Sequence, residues 1–433
     1  MKKELFLKIV LGALICLSLF LTFIIWTRPS QFNEEINTNQ GTTSSVSVAR
    51  KLPQVFGPTQ IVLHSYGETN VFFQSDVVSS LTKELANWKI HSVEEPVELS
   101  NEEYQDKLNQ TNAVEMVFTQ KISFGILSDV FDNLAGEYYD RSFNRLYFSE
   151  DDVDQIYFYN TQSKLFYRET IEGIDQKKVN ELLNDEKEKY YAATAVLDEG
   201  KQVYTSLNEV ELPYLSYLVE RQTNQLFIEQ LFDDTSEVRE DSDNSENIVS
   251  YNDYVSELQI NENTDILTYY RNRNSENKLS ITDTLRESYN ELIQYENWSS
   301  TVHYFDYNDS TREVIYRRYI EGLPVFSELF DYGTTHITVV EDGLSRLQVP
   351  LVIAQTPISD VEEQKTLPSG VSILESLEAY GYDSEEIDDI KIGYTWTNNK
   401  ESDRVINLEP NWYIKINGTW ELAKNLLLNE GGQ

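Results

Sequence analysis

Four histidines, one cysteine and 73 acidic residues are what the 433-residue chain offers to chemistry. His64, His91, His303 and His336 are too far apart in sequence for any two to share a helical turn or one face of a strand, as a paired metal ligand or proton shuttle would require. HExxH, GxSxG and a phosphate-cradling glycine loop are all missing, which removes the sequence basis for zinc-dependent, serine-dependent or phosphoryl-transfer chemistry. Carboxylates are so numerous that an acid–base pair arises somewhere by coincidence, and no spacing singles one out. Asp241-Ser242-Asp243-Asn244-Ser245 begins like a calcium loop. It then places Glu246 where the sharp turn needs glycine and Asn252 where the bidentate glutamate belongs. Glu150-Asp151-Asp152-Val153-Asp154 reads as a turn between strands. No catalytic, cofactor-binding or metal-binding residue is assigned.

The chemistry left is that of contact, and it points to Leu5–Trp26. No charge falls between Lys8 and Arg28. As a helix, Ile9 to Trp26 would extend roughly 27 Å, against about 30 Å for a bilayer core. Lys2, Lys3 and Lys8 precede the stretch and only Arg28 closely follows it. This predicts a single-pass cell-membrane protein with a cytoplasmic N-terminus and its C-terminal domains outside. A cleaved leader would need small residues before the cut, and Ile25-Trp26-Thr27-Arg28-Pro29 supplies none. A lipoprotein would use Cys16, but Leu14-Ile15 precedes it. Gly12 and Cys16 lie one turn apart, as do Ser18 and Thr22. These four are the candidate transmembrane-helix interface, where small residues allow close approach and hydroxyls bond across it. Hydroxyls bonding their own backbone carbonyls is the alternative.

The formal net charge is −38, and with +3 on residues 1–28 the remainder carries −41. No basic cluster exists, so nucleic acid is excluded as a partner, and so acidic a surface disfavours anionic lipid or wall polymer. With Cys16 the only cysteine, no disulfide can form outside the membrane. The 28 tyrosines and 19 phenylalanines must hold that part together by packing, and they favour strands.

The fold class this predicts is α+β: antiparallel sheets flanked by helices behind one transmembrane helix. Residues 1–28 are the cytoplasmic stub and anchor, and 29–59 a polar juxtamembrane linker. An N-terminal α+β domain (60–172) has strands IVLHS and VFF, a helix over Val78, Leu81, Leu85 and Trp88, and a capping box at Ser100 and Glu103. The run AVEMVF then makes a central strand, followed by a meander of three aromatic strands. A central α+β domain (173–277) has a helix at about 175–191 with Val179, Leu182, Leu183 and Tyr190 inward. Strands KQVYTSL, LSYLVE, QLFIEQLF, YVSELQI and ILTYY follow, with Glu237–Glu246 as a solvated loop. The last domain (278–433) twice runs helix, then antiparallel strands. The first unit is Thr282–Glu296, presenting Leu285, Tyr289, Leu292 and Ile293, followed by strands at 301–307, 313–320, 335–340 and 347–353. The second is 370–380 followed by strands at 389–396, 404–408 and 411–416, with an Asn417-Gly418 hairpin into TWEL.

Several stretches resemble one family. LSLFLTFIIWTRPSQF at the anchor, VEMVFTQKISF, LFDDTSEVRE, ENWSS, RRYIEGLPVF and LEPNWYIKINGTW are together similar to the YycH (WalH) family, membrane-anchored regulators of the YycG/WalK sensor histidine kinase. SYNDYV (250–255) departs from it, standing where the family usually has a glycine-bearing turn. The resemblance implies a three-part ectodomain whose last part is like YycI, no catalytic activity, and a complex with the kinase and a YycI-like membrane protein, formed partly through membrane helices. That complex restrains the kinase of a cell-wall two-component system. Self-association is a further expected contact. Two other classes compete. A wall-ligand-binding or protease-inhibiting module would show a concave pocket lined by Tyr316, Tyr319, Tyr394 or Trp412. A wall hydrolase would show convergent carboxylates with raised pKa in a cleft.

Overall fold

Short aromatic strands joined by tight turns pair antiparallel with their sequence neighbours, and this chain is built largely of such pairs. The computed structural model describes residues 50–428 apart from 73–74, 86, 129–137, 150–151, 174, 184–189, 199–200, 244–246, 274–277 and 359–362. The first sheet holds β1 (Gln60–Ser65), β2 (Glu68–Phe72), β3 (Lys89–Val93), β4 (Val97–Glu98), β5 (Asn112–Ser123), β6 (Ser142–Ser149), β7 (Asp152–Asn160), β8 (Leu165–Glu172), β9 (Tyr191–Asp198) and β10 (Lys201–Ser206). Its order is β10-β9-β2-β1-β5-β6-β7-β8-β3, with β4 beside β8. The AVEMVF run is central as expected, inside β5, and β6–β8 form the expected meander. Helices α1 (Leu52–Val55), α2 (Ser75–Leu85), α3 (Asn101–Asn109), α4 (Phe124–Leu127) and α5 (Gln176–Leu183) belong to this half. The expected capping box starts α3: Ser100 Oγ accepts from the Glu103 amide at 3.1 Å, and Glu103 Oε2 accepts from the Ser100 amide at 2.8 Å.

The short strand β11 (Val210–Pro213) pairs with β23 (Gln364–Leu367) and, among the described residues, with no other strand. The second sheet begins with β12 (Leu215–Arg221), β13 (Arg239–Asp243), β14 (Ile248–Asn252), β15 (Ser256–Asn261), β16 (Ile266–Arg271) and β17 (Thr301–Asn308). It continues with β18 (Glu313–Ile320), β19 (Leu323–Ser327), β20 (Thr334–Val340), β21 (Gly343–Pro350), β22 (Val352–Pro357), β24 (Ile387–Asn398), β25 (Val405–Ile416) and β26 (Thr419–Leu422). The order is β13-β14-β15-β16-β21-β20-β18-β19-β24-β25-β12-β22, with β17 on β18 and β26 on β25. Only β19 and β24 pair parallel among the described residues. Helices α6 (Asn224–Leu231), α7 (Ile281–Tyr295), α8 (Gly370–Ala379) and α9 (Ala423–Leu428) complete it.

One apolar core runs from Leu52 to Leu351 and draws on both sheets, joining Phe118, Phe143 and Phe158 to Leu285, Tyr316 and Leu347. A second core gathers Ile373 and Leu377 of α8 with Ile390, Tyr394, Leu408 and Trp412. The Asn417-Gly418 hairpin forms as expected. Both residues have positive φ (49° and 81°), which a type I′ turn requires and glycine accepts without strain.

Several expectations are corrected. QLFIEQLF is helical, not a strand: Phe227, Ile228 and Leu231 bury at i, i+1 and i+4, a period near 3.6 rather than 2. The helix expected at 175–191 is described only over Gln176–Leu183. Tyr190 is 63% exposed rather than inward, and β9 begins at Tyr191. The supposed acidic loop contains β13, which pairs with β14 as an exposed edge strand, and charge on an edge is a common guard against further pairing. The strands expected at 404–408 and 411–416 are one strand, β25, which starts at Val405. Pro410 is tolerated inside it because, on the side away from β24, β25 is unpaired between Leu408 and Tyr413. Strand β19 went unrecognised, its LPVF run hidden by a proline. Trp88 is buried but lies beyond the end of α2, and Ile293 is 39% exposed.

Candidate functional site

The candidate interface residues Gly12, Cys16, Ser18 and Thr22, and the whole Leu5–Trp26 stretch, lie outside the described residues. Among the described residues no helix is long and apolar enough to cross a membrane, and no group of three or more His, Cys, Asp or Glu could hold a metal ion. The expected pocket aromatics Tyr316, Tyr319, Tyr394 and Trp412 are all at most 5% exposed. They are core residues rather than the walls of an open pocket of the kind expected.

The structure instead gathers polar side chains around Glu115, on the central strand β5. Val114, Met116 and Phe118 bury in the large core, so alternation sends Glu115 to the opposite face of the sheet. That face is sealed too. His64 of β1 places Nε2 3.0 Å from Glu115 Oε2. Tyr104 of α3 donates to Oε1 at 2.9 Å, and Tyr204 of β10 donates to Oε2 at 2.5 Å. The Arg145 guanidinium of β6 lies 3.6 Å from Oε1, and its Nη2 donates to the Gln202 carbonyl. Gln202 Nε2 donates to Gln105 Oε1 and to the Tyr204 hydroxyl, each at 2.9 Å. Burial alone would raise the Glu115 pKa. The His64 contact, the Arg145 charge and the Tyr204 hydrogen bond outweigh it and hold the carboxylate below its usual range.

This arrangement reports the shape of the sheet. β10 stands four places from β5 in strand order. At about 4.8 Å per strand, a flat sheet would hold them roughly 19 Å apart. Direct contact between Tyr204 and Glu115 therefore requires the β9–β10 hairpin to curl back over the second face, where Glu115 fastens it. The signal for Glu115 was present in the sequence as a single acid inside the apolar run AVEMVF. Its partners, spread from residue 64 to residue 204, carried none.

Glu84, Glu169 and Glu296 are buried as well, Glu84 of α2 against the Lys178 ammonium of α5. Glu169 of β8 is fully buried on the same strand face as Tyr167 and Ile171, and neither oxygen has a hydrogen-bond partner among the described residues. Burial, then the nearby Glu94 charge, pushes its pKa up to about 9, so it holds a proton at neutral pH. Glu296 is buried against Arg318, with Nη2 2.6 Å from Oε1, and accepts from the Thr335 hydroxyl at 3.1 Å. Glu115 and Glu169 are fully buried, and so is the Glu296 side chain, so none of the three carboxyls is open to solvent.

The fold defines a class: an α+β protein of two large, mainly antiparallel sheets, with buried Glu115 and Glu296 each tied to side chains of other elements. Family comparison then places it. Residues 4–189 match the YycH protein, N-terminal domain, and residues 200–431 match the YycH protein, C-terminal domain; the chain belongs to the YycH family. It is 23% identical over 458 residues to the two-component system WalR/WalK regulatory protein YycH of Bacillus subtilis (strain 168), across 100% of this chain and 99% of that protein. The crystal structure of YycH from Bacillus subtilis matches with a TM-score of 0.72 at 16% identity, covering 87% of this chain and 98% of that one. At that identity the match establishes the shared fold.

Proposed function

We propose that this protein is a non-enzymatic regulator of a cell-wall two-component system, acting on a sensor histidine kinase of the YycG/WalK type. The observation that carries this is end-to-end likeness to a protein named as a WalR/WalK regulator, across both family domains. The enclosed ionisable interior supports a role in contact rather than turnover.

In this proposal Leu5–Trp26 is a single membrane anchor with its N-terminus in the cytoplasm. Gly12, Cys16, Ser18 and Thr22 form its packing face, and a YycI-like membrane protein and a second copy are further contacts. A regulator that binds one kinase conformation more tightly than the other shifts the kinase balance by that difference in affinity. The direction is restraint, as the family resemblance implies. The test replaces residues 5–26 with an unrelated transmembrane helix of equal length, then measures kinase autophosphorylation and co-purification in membranes. Loss of both is the expected result. Unchanged output and co-purification would remove the intramembrane part of the mechanism.

A further inference from the structure

Helix α8 carries two stripes. Ile373 and Leu377 point into the second core, while Val371, Leu374, Glu375 and Glu378 follow at i, i+3, i+4 and i+7 on another face. On that face Val371 and Leu374 are only half-buried, Leu374 touching the edge of the second core, and Glu375 and Glu378 are exposed. This face forms one wall of a groove of about 280 Å³, closed on the other sides by Val196 and Val203 of the β9–β10 hairpin and by Tyr382, Ile387 and Ile390 near the start of β24. The floor is apolar and the rim is acidic.

Charge identifies the occupant. Residues 366–390 contain seven acids and no base. Lys391 is engaged with Asp389 at 2.6 Å, and among the described residues neither Glu375 nor Glu378 forms an ion pair. Both glutamates stand in the second half of α8, at the end where the helix dipole is negative and cations are favoured, and the last turn has no basic residue. The linker before Arg50 carries Glu34 and Glu35 and no base from residue 29 to residue 49, so it has no cation to offer the acidic rim. A second copy of a chain with net charge −38 would meet the rim with like charge.

We infer that the groove between α8, the β9–β10 hairpin and β24 docks a cationic amphipathic segment of another protein. Its apolar side chains would sit on Val203 and Leu374, and its lysines or arginines against Glu375 and Glu378. The groove would bind such a segment whichever protein supplied it, so the kinase reading can fail without it.

The test uses the full-length chain in lipid nanodiscs, with Cys16→Ser and Ser384→Cys so that one environment-sensitive dye reports from the rim. The probe is a helical peptide of leucine and lysine about 14 residues long, roughly four turns. Its counterpart carries glutamate at every lysine. The lysine peptide should give a saturable blue shift and the glutamate peptide none. Glu375→Lys with Glu378→Lys should weaken binding about tenfold or more, while Glu240→Lys with Glu257→Lys, the same charge change at the opposite end of the second sheet, should alter it less than about twofold. Circular dichroism confirms that both variants fold. Equal binding of the two peptides, no saturation, or equal loss in the remote variant would overturn the proposal. So would a concentration-dependent shift without peptide, which would give the groove to a second copy.

Discussion

Glu296 and Arg318 meet inside the protein as an ion pair, with Arg318 Nη2 2.6 Å from Glu296 Oε1 and neither side chain more than 3% exposed. One closes α7 and the other lies on β18, so the pair ties the helix end to the sheet beneath it. They come from two stretches, ENWSS and RRYIEGLPVF, that the sequence could only place side by side in a resemblance.

Removing one partner leaves a buried charge uncompensated. Glu296→Ala or Arg318→Ala should each cost about 3–5 kcal/mol of unfolding free energy, whereas replacing both with apolar residues of similar size should cost far less. Urea denaturation of the two singles and the double checks this. Additive losses would show that the pair does not act as a unit.

Tyr204→Phe removes the hydroxyl that reaches Glu115 from the curled hairpin and keeps the ring. Loss of a hydrogen bond to a buried carboxylate costs about 1.5–3 kcal/mol. Because Tyr204 fastens the hairpin, hydrogen exchange should speed up over Tyr191–Ser206 while the β6–β8 meander stays protected. Uniform acceleration in both would deny the hairpin its local role.

Glu169 predicts a pH dependence of definite sign. The folded carboxyl holds its proton to about pH 9, whereas an ordinary glutamate releases it near 4.5. Between those values folding requires proton uptake, so this group's contribution is complete below pH 4.5 and declines as pH rises towards 9. Glu169→Gln removes the titration. The variant should match the parent near pH 4 and exceed it by roughly 3 kcal/mol at pH 7. Thermal melts across that range read the difference, and a gap that stays constant with pH would contradict the assignment.

Gly370 opens α8 directly beneath β10. A methyl group there would fall 1.6 Å from Thr205 Oγ1 and 2.9 Å from the Trp412 ring. The Gly370 amide also donates to Ser206 Oγ at 3.0 Å. Gly370→Ala should therefore destabilise by about 1–3 kcal/mol, the range for overpacking a filled interior, although alanine is the better helix former. An unfolding midpoint at or above the parent's would show that the contact relaxes freely.

Legibility varied with distance along the chain. The capping box at Ser100, the β6–β8 meander and the Asn417-Gly418 turn each depend on residues a few positions apart, and all were readable. QLFIEQLF failed because eight residues rich in large apolar side chains fit either period, and only burial of Phe227, Ile228 and Leu231 together decides between them. The fully buried tyrosines, Tyr104, Tyr159 and Tyr167 among them, could not be told from half-buried ones, because strand alternation does not say whether the second face is covered.

By itself the sequence determined the α+β class, the antiparallel hairpins, the acidic surface and the resemblance to the family, because each is a local or summed property of side chains. Only the tertiary structure decided that β10 returns to Glu115, that Glu296 finds Arg318, and that Val371, Leu374, Glu375 and Glu378 of α8 line a groove. Those outcomes depend on which distant segments close on one another. That choice is made by the packing of whole sheets and the entropy of the loops between them, which no short stretch of residues encodes.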